Sequence, residues 1–513
     1  MSAAGDAVPI LRTMSYYESL IAELKQIGLL GSVASVLGWD EQTYMPPKAG
    51  EHRANQAALL AGMVHERFTS AKVGDLLAGA ADEVKSEPAD SVKAANVRET
   101  LRSYGRQKKL PPALVEELSK TTTLAQQAWG SAKKKNDWAA FKPWLEKMMH
   151  LKRQEIAAYG YTTEPYDALL EDYEPGETAA NLRKVFENLR GPLVELVRKI
   201  ASSGKKAPLE LLERHYPKAQ QEAFAKEAAK AVGFDFESGR LDVTMHPFCT
   251  DLGPGDVRMT TRYDESFFGD AFFSVLHETG HALYEQGLPH EHFGTPAGQA
   301  ISLGIHESQS RMWENLVGRS AAFWKHWLPK ARGVFGKTLD GISDQDWLFA
   351  INDVRPSFIR TEADEMTYNL HVLIRFELET ALLSGQLEVT DLPGAWNEKY
   401  KQYLGLDVPD YARGCMQDVH WSAGLVAYFP TYTLGNLAAA QFFEKANEQL
   451  GDLHGMFAKG EYLPLLQWLR TNIHGVGRRY TAPQLIQKVT GKPLTSDALI
   501  RHLKARAAEF YGV

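Results

Sequence analysis

Cysteine is scarce in this sequence, which has two among 513 residues, Cys249 and Cys415. One pair cannot build the disulfide framework of a small secreted domain, and this favours a reducing compartment. The N-terminus also lacks a basic start followed by an apolar core of about 7–15 residues, the pattern of a secretion signal. These absences predict a cytoplasmic protein.

Long apolar runs and an excess of basic residues are missing as well. No run approaches the roughly 20 apolar residues of a membrane span. The formal net charge is −7 at pH 7, whereas a general nucleic-acid-binding protein presents a basic face to phosphates. We therefore expect neither a membrane nor a nucleic acid among the partners.

The composition that is present is typical of a large helical protein. Apolar residues make up 44% and charged residues 24%, and the length predicts a large core or two lobes. Residues 50–160 are rich in Ala, Glu, Lys and Leu, which predicts long antiparallel helices. Residues 236–265 differ, because β-branched residues partly alternate there and predict a short hairpin or small sheet.

The stretch DAFFSVLHETGHALYEQG, residues 270–287, carries the clearest chemical signal. His277 and His281 are four residues apart, so on a helix both imidazoles can reach one metal ion. Glu278 lies beside them, near enough to hold a metal-bound water without binding the ion itself. This arrangement is typical of a metal-assisted hydrolase. The alternative is a pair of structural histidines, because so short a pattern also occurs by chance.

A third metal ligand is expected on a neighbouring element. Residues 300–318 read as a second helix, and a loop after His281 can turn that helix antiparallel, which places Glu307 opposite the histidines. Two histidines and one glutamate leave a fourth position open, as in a catalytic zinc site. His306 is the competing ligand, but it points about 100° away on the helix and is kept as a substrate-binding or supporting residue.

Two later stretches are also informative. Residues 351–383 are predicted to break at Pro356 and then to run as one long helix that ends near Gly385. Residues 414–436 mix polar and aromatic groups with glycine and proline, which is typical of a loop over a site.

Six blocks of the sequence, taken in order, point to one family. They are His246-Pro247-Phe248, the segment DVRMT at 256–260, HETGH at 277–281, HESQ at 306–309, IRTEAD at 359–364 and GCMQDVHW at 414–421. With these blocks the sequence resembles, over nearly its whole length, the carboxypeptidase Taq family of metallocarboxypeptidases.

The resemblance implies a fold and an activity. The fold is mainly α, a large two-lobed zincin similar to neurolysin, with a deep active-site groove and a small β-sheet beside the metal helix. The activity is removal of single residues from peptides with a free C-terminus, with broad preference. One zinc ion per subunit, with cobalt as a possible substitute, and a homodimer are implied as well.

The resemblance also assigns roles to residues. His277, His281 and Glu307 would bind the metal, and Glu278 would act as general base and then as general acid. Arg360 would receive the terminal carboxylate of the substrate, because the planar guanidinium fork suits a carboxylate.

Several assignments remain open at this stage. His420 and Tyr432 are candidates for the second donor to the oxyanion, although either can instead be a hydrogen-bonded residue of the cleft. Arg258 and Arg311 are alternatives to Arg360, and any of the three can sit in a structural ion pair.

The chain is predicted to be one peptidase unit over residues 1–513. Residues 1–14 are expected to form an N-terminal extension, 15–235 a mostly helical lobe, 236–436 the catalytic core with the metal site, and 437–513 the C-terminal helices. Two other functions are weighed. An oligoendopeptidase uses the same metal site in a groove open at both ends, and a non-catalytic peptide-binding protein keeps the groove alone, although the intact Glu278 argues against it.

Overall fold

The computed structural model describes residues 14–513. The predicted N-terminal extension, residues 1–14, lies outside the described residues except for Met14. The described part of the chain contains twenty α-helices and one three-stranded sheet, so the prediction of a mainly helical fold with a small β-sheet is confirmed. The predicted division at residues 235 and 436 stays a prediction.

The helices follow one another with short connections for most of the chain. They are α1 (Tyr16–Thr43), α2 (Gly50–Phe68), α3 (Ala71–Glu83), α4 (Val92–Lys109), α5 (Pro112–Lys135), α6 (Trp138–Tyr159), α7 (Pro165–Leu170), α8 (Ala179–Ser202), α9 (Lys218–Ala231), α10 (Phe268–Glu285), α11 (Leu303–Arg311), α12 (Ala321–Phe335), α13 (Asp344–Ile351), α14 (Tyr368–Ser384), α15 (Leu392–Leu404), α16 (Pro430–Leu450), α17 (Leu453–Phe457), α18 (Leu463–Asn472), α19 (Ala482–Thr490) and α20 (Asp497–Tyr511).

Three strands lie between α9 and α10, namely β1 (Gly239–Val243), β2 (Cys249–Asp251) and β3 (Val257–Thr261). The predicted hairpin is the antiparallel pair β2–β3, in which Cys249 lies opposite Met259. Strand β1 pairs in parallel with the other edge of β3, giving the order β1-β3-β2. Helix α10 packs against β3, so the sheet lies beside the helix that carries the paired histidines.

Two large hydrophobic cores account for the two lobes. One surrounds α10 and α12 and contains Phe272 and Trp327, and the other surrounds α14 and contains Phe376. Helix α16 contributes Phe442 to the first core and Leu437 to the second. Because α16 belongs to both cores, it joins the lobes.

Two glycines inside helices let α10, α11 and α16 approach closely. A Cβ atom on Gly280 of α10 would lie 2.5 Å from the carbonyl oxygen of Gln309. A Cβ atom on Gly435 of α16 would lie 2.6 Å from Cγ of Glu307. Any larger residue at either position would push α11 away, so these glycines hold Glu307 between the two neighbouring helices.

The predicted long helix after Pro356 is wrong in its first half. Helix α14 begins only at Tyr368, and residues 352–367 are irregular apart from a short turn at Arg360–Glu362. The Asp364 carboxylate accepts the backbone N–H groups of Met366 and Thr367, which closes a turn immediately before α14. Helix-favouring composition alone could not reveal this local competition for backbone donors.

Two other predicted elements are confirmed with changed ends. The helix predicted at 300–318 is α11 followed by a π-helix, Met312–Val317. The loop predicted at 414–436 is irregular only as far as Phe429, because α16 begins at Pro430, a residue whose fixed φ suits a first helical turn. Tyr432 therefore lies on a helix and not on a loop.

Helix α1 differs from expectation in one respect. Taken alone, it is long and apolar enough to cross a membrane by length and composition, which the search for apolar runs did not predict. A core helix meets the same criterion, and α1 buries Leu20, Leu24 and Ile27 in a small core that it shares with α3.

Candidate metal centre

Three side chains converge between α10 and α11. His277 and His281 come from successive turns of α10, and Glu307 comes from α11. Oε2 of Glu307 lies 3.7 Å from Nε2 of His277 and 3.4 Å from Nε2 of His281. One ligand atom from each of the three residues lies within 4.8 Å of the others, so they can surround one ion as the sequence predicted.

The orientation of His277 suits a metal ligand. Its Nδ1 atom lies 2.9 Å from Oε2 of Glu314, which leaves Nε2 directed at Glu307. A carboxylate behind the far nitrogen of a histidine fixes the tautomer and raises the basicity of the nitrogen that binds metal. Glu314 was missed in the sequence, although it follows Glu307 by two helical turns and so lies on the same face.

His281 is held by a different partner. Its Nδ1 lies 2.5 Å from Nδ1 of His306, and Nε2 of His306 lies 2.6 Å from Oε1 of Glu285. Burial lowers the pKa of His281 to about 3, so its imidazole is neutral and Nε2 can offer a lone pair to a metal. Both ring nitrogens of His306 face protein groups, so its role in substrate binding stays a prediction.

The third ligand, Glu307, accepts a hydrogen bond at each carboxylate oxygen, and at Oε2 the donor is the hydroxyl of Ser310 at 3.1 Å. Its Oε1 accepts a hydrogen bond from Nε of Arg311 at 2.7 Å, while Oε2 faces the histidines. Burial raises the pKa of Glu307, but Arg311 and the two histidines outweigh that effect and lower it well below its usual range. The carboxylate is therefore ionised, as a metal ligand must be.

These three residues fit a divalent metal ion. Two imidazole nitrogens and one carboxylate oxygen point to a common position, and each opposite atom is already bound to Glu314, His306 or Arg311. Such a donor set is typical of a catalytic site, because three protein ligands leave a fourth position open.

Glu278 lies next to this position on α10. Glu278 is 6% exposed, and burial raises the pKa of its carboxyl to about 7. Within residues 14–513 its carboxylate accepts no hydrogen bond from protein, so its oxygens are available to a water molecule. A carboxyl with a pKa near neutral pH can both take up and return a proton.

Arg360 lies in the irregular segment before α14 and is 4% exposed. Its Nε and Nη2 atoms each lie 3.0 Å from Oδ1 of Asp418, and its Nη1 donates to the hydroxyl of Tyr368 at 2.8 Å. Oδ2 of Asp418 also accepts a hydrogen bond from Nε of Arg375 at 2.8 Å. One edge of the Arg360 guanidinium is thus held by protein, and the end formed by Nη1 and Nη2 keeps N–H groups for another acceptor.

His420 and Tyr432 lie next to Arg360. Nε2 of His420 is 3.2 Å from the hydroxyl of Tyr432, and the guanidinium carbon of Arg360 is 5.0 Å from the centre of the Tyr432 ring. Burial, and then Arg360, lower the pKa of His420 to about 3, so the imidazole is neutral. Tyr432 precedes Gly435 by about one turn of α16, which brings it towards Glu307.

Arg258 is placed differently from Arg360. It lies on β3, pairs with Asp256 at 2.7 Å and stacks on the ring of Trp39 with its guanidinium carbon 4.1 Å from the ring centre. Arg258 thus forms a structural ion pair, one of the two roles that the sequence analysis allowed. Its role in substrate binding stays a prediction. Arg311, the other alternative, is bound to Glu307 and Glu314.

Comparison with known proteins gives a consistent result. The profile of a family described as "Carboxypeptidase Taq (M32) metallopeptidase" matches residues 19–507. The chain is 46% identical to "Thermostable carboxypeptidase 1" of Thermus thermophilus, over 97% of this chain and 99% of that protein. It is 37% identical to "Carboxypeptidase 1" of Bacillus subtilis, again over 97% and 99% of the two chains.

Solved structures agree in fold over the same length. A crystal structure of M32 carboxypeptidase from Deinococcus radiodurans superposes with a TM-score of 0.94 at 39% identity, covering 97% of this chain and all (100%) of the other. Metallocarboxypeptidase 1 of Trypanosoma cruzi gives a TM-score of 0.92 at 35% identity, covering 96% and 99%.

Proposed function

Since the chain belongs to the carboxypeptidase Taq family and is a metallocarboxypeptidase that releases C-terminal amino acids, we propose that it holds one zinc ion per subunit. His277, His281 and Glu307 would bind the ion. Zinc is proposed because two imidazoles, one carboxylate and an open fourth position are a donor set that catalytic zinc sites use. Cobalt accepts the same ligands and is proposed as a substitute.

The chain's own residues carry the proton transfers. A divalent ion in this position supplies a Lewis acid and lowers the pKa of water. Glu278 takes the proton of the attacking water and returns it to the leaving amine. Tyr432 and His420, which face the same region, are proposed as donors to the oxyanion that develops on the scissile carbonyl.

Arg360 is proposed to receive the terminal carboxylate of the substrate. The support is that Nη1 and Nη2 keep N–H groups beyond those that face Tyr368 and Asp418, and that Arg360 lies beside Tyr432. A cation at a fixed distance from the metal makes an enzyme cut one residue from a free C-terminus. Without such a cation the same site would cut internal bonds.

One observation carries the proposed mechanism. His277, His281 and Glu307 converge beside Glu278, whose carboxylate accepts no hydrogen bond from the described residues. The test is to incubate one peptide of about ten residues with the protein and to follow its products by mass. A ladder that shortens by single residues from the C-terminus, and that disappears with a chelator, is the expected result. Internal fragments would indicate the oligoendopeptidase instead.

Substitution of Arg360 by alanine tests the carboxylate site. The variant is expected to lose at least about a hundredfold in kcat/KM on a peptide with a free C-terminus, because a charge-assisted pair is removed. The same peptide with an amidated C-terminus is the matched control, and its slow cleavage is expected to change little. Equal losses on both peptides would show that Arg360 has another role.

We also propose that the protein is a homodimer, and the support is an exposed apolar face on the hairpin formed by α1 and α2. Within the described chain, none of the 19 residues of α2 is buried. A helix of this length usually needs a packed apolar face to be stable. Apart from Tyr16 at the start of α1, the large apolar side chains exposed on the two helices are Leu29, Val33, Val36, Leu59 and Met63.

The face of α2 is complementary to a second copy of itself. Ala54, Ala58 and Gly62 are small residues spaced by four, which lets two helices approach closely. In an antiparallel pair of α2 helices that cross at Ala58, Glu51 would lie beside the partner's His65. Such a two-fold contact uses the same surface on both subunits.

Light scattering after size-exclusion chromatography tests the dimer. A double variant with Leu59 and Met63 changed to glutamate is expected to be monomeric, because four charges would meet at the contact. Leu463→Glu is the control, since Leu463 is 59% exposed and Leu59 is 66% exposed, but Leu463 lies on α18. A wild-type monomer, or a dimer unaffected by the double change, would contradict this surface.

A cytoplasmic location is proposed as well. Cys249 and Cys415 are both free thiols, which suits a reducing compartment. Cell fractionation tests it, and recovery of the protein outside the cytoplasm would contradict it.

A further inference from the structure

One side chain connects the metal centre with Arg360. Tyr368, the first residue of α14, is 5% exposed, and it contacts an arginine on each side. Its ring faces Arg311, and its hydroxyl binds Arg360. No sequence motif pointed to this residue, because its two partners lie in separate parts of the chain.

The ring side belongs to the metal centre. The guanidinium carbon of Arg311 lies 4.4 Å from the centre of the Tyr368 ring, a distance typical of a cation–π contact. Nε of the same Arg311 donates to Oε1 of Glu307 at 2.7 Å. The ring therefore supports the arginine that fixes one oxygen of a metal ligand.

The hydroxyl side belongs to the carboxylate site. The Tyr368 hydroxyl accepts a hydrogen bond from Nη1 of Arg360 at 2.8 Å. Arg360 begins only a short turn, Arg360–Glu362, and side chains hold it: Gln417 accepts its backbone N–H, and Asp418 and Tyr368 accept from its guanidinium. The ring of Tyr432 packs edge-on against Tyr368 with centres 5.9 Å apart, which restricts rotation of the Tyr368 ring.

We propose that Tyr368 is a positioning residue that sets the distance between Glu307 and Arg360, and thereby selects the release of one residue at a time. This inference rests on the proposed role of Arg360. Tyr368 acts through Arg311 on one side and through Arg360 on the other, without contact to the reacting bond.

The rigidity of an aromatic ring explains why a tyrosine suits this role. An extended peptide advances about 3.3 Å per residue, so a receiving guanidinium that moved by that distance would admit a substrate one residue out of register. A phenol ring cannot bend, whereas an aliphatic side chain of the same reach has several rotamers. The ring thus links Arg311, on its face, to Arg360, at its hydroxyl, through a rigid group.

The first test uses Tyr368→Phe, which keeps the ring against Arg311 and removes only the hydroxyl. For peptides with a free C-terminus, KM is expected to rise roughly tenfold to hundredfold, because a hydrogen bond to a charged group is lost. The kcat value is expected to stay within about threefold, and cleavage of the amidated peptide is expected not to change. The zinc dissociation constant, measured by chelator competition, is expected to equal that of the wild type.

The second test uses Tyr368→Leu, which removes the ring as well. Zinc affinity is now expected to fall by roughly tenfold or more, as for other partners that orient metal ligands. Dipeptide products are expected beside single amino acids in both the Phe and the Leu variant, because each loses the hydroxyl that accepts from Nη1 of Arg360. Circular dichroism of the variant shows whether it is folded.

Tyr403→Phe is the matched control. Tyr403 is also 5% exposed and its hydroxyl also binds an arginine, Arg190 at 3.1 Å, but it lies on α15 outside the site. No change in KM, zinc affinity or products is expected for this variant.

Two outcomes would overturn the inference. If the wild type discriminates between free and amidated peptides and Tyr368→Phe has the same KM, Tyr368 does not hold Arg360. If zinc affinity falls equally in the Phe and Leu variants, the ring does not act through Arg311. A wild type that does not discriminate would instead refute the role of Arg360, and the inference with it.

Discussion

The two ends of the proposed site are built in different ways. The metal end consists of two regular helices, α10 and α11, with Gly280 of α10 packed against α11 and Gly435 of α16 packed against Glu307. The Arg360 end consists of irregular segments at 352–367 and 405–429, held by contacts between residues far apart in the chain. Helical geometry positions the first set of side chains, and long-range polar contacts position the second.

The two ends also differ in whether their charges are balanced within the protein. At the metal end, Nε2 of each histidine and Oε2 of Glu307 face a common position, so a cation there would complete the cluster. At the Arg360 end, Asp418 already lies between two buried arginines, Arg360 and Arg375, and the fold itself completes the pair. We therefore expect changes at the metal end to remove function and changes around Asp418 to remove stability.

The largest expected effect is that of Glu278→Gln at the metal end. Turnover is expected to fall by about a thousandfold or more, because glutamine cannot take the proton of water. The unfolding temperature and the bound zinc, measured by calorimetry and by metal analysis, are expected to stay close to wild type.

This variant also separates an enzyme from a peptide-binding protein. A non-catalytic protein would lose nothing measurable when Glu278 becomes glutamine. Turnover within about tenfold of wild type would contradict a proton-transfer role for Glu278.

At the Arg360 end, Asp418→Asn is expected to lower the free energy of unfolding. The change leaves two buried arginines without their shared carboxylate, and breaking such a pair costs about 3–5 kcal/mol of unfolding free energy. Denaturant unfolding measures the loss. Burial raises the pKa of Asp418, but Arg375 and Arg360 outweigh burial and lower it far below its usual range, so it is ionised in the native protein.

Asp256→Asn is the control for this loss. Asp256 also pairs with an arginine at 2.7 Å, but its side chain is 41% exposed. Exposed ion pairs contribute about 0–1 kcal/mol, so the control is expected to change stability little. Equal losses in both variants would mean that burial of the Asp418 pair has no special cost.

The same contrast explains what the sequence could predict. His277 and His281 were found because helical spacing is local and does not depend on the rest of the fold. Glu307 followed because the connecting loop lets one helix turn back on another. The same helical spacing places Glu314 on the face of Glu307, but only the structure shows that it binds Nδ1 of His277.

The Arg360 end was not predictable in this way. Only the family resemblance pointed to Arg360, and the helix assigned to it was wrong, because Gln417 and Asp364 engage the backbone of that segment. Tyr368 joins Arg311 to Arg360 across the site, and no periodic pattern records such a contact. Residues that act through long-range polar contacts need coordinates to be found.

Within the metal end, the two histidines have different partners, Glu314 behind His277 and His306 behind His281. Changing each partner shows how strongly it supports metal binding. Glu314→Gln is expected to weaken zinc binding roughly tenfold to hundredfold, as is typical of partners that orient a ligand. His306→Gln is expected to have the smaller effect, because an imidazole nitrogen carries less negative charge than the carboxylate that faces His277 and so orients its partner less strongly. Competition with a chromogenic chelator measures both affinities.

Asp270→Asn is the control for these two variants. Asp270 lies on α10 as well, but its side chain is 40% exposed and pairs with Arg262. Its change is expected to leave zinc affinity unchanged. If His306→Gln weakened binding more than Glu314→Gln, the acceptor behind His281 would be the more important of the two.

The smallest expected effect is a pH dependence of stability behind the Arg360 end. Glu379 is buried on α14 and accepts hydrogen bonds from Trp421 at 2.8 Å and from Tyr166 at 2.9 Å. Burial raises the pKa of its carboxyl from 4.5 to about 7. A raised pKa means that the folded state holds the proton more tightly, so this stabilisation is complete below pH 4.5 and is lost as the pH rises through about 7.

The Glu379→Gln variant cannot titrate and isolates this contribution. The unfolding free energy of the wild type minus that of the variant is expected to fall by about 1.4 kcal/mol per pH unit between roughly pH 5 and 6.5. Above about pH 7.5 the difference is expected to be constant, because both states are then ionised. Denaturant titrations at several pH values measure it. A difference that stayed constant from acid to neutral pH would mean that Glu379 is ionised in the folded protein, and that this lobe tolerates a buried charge without a cation beside it.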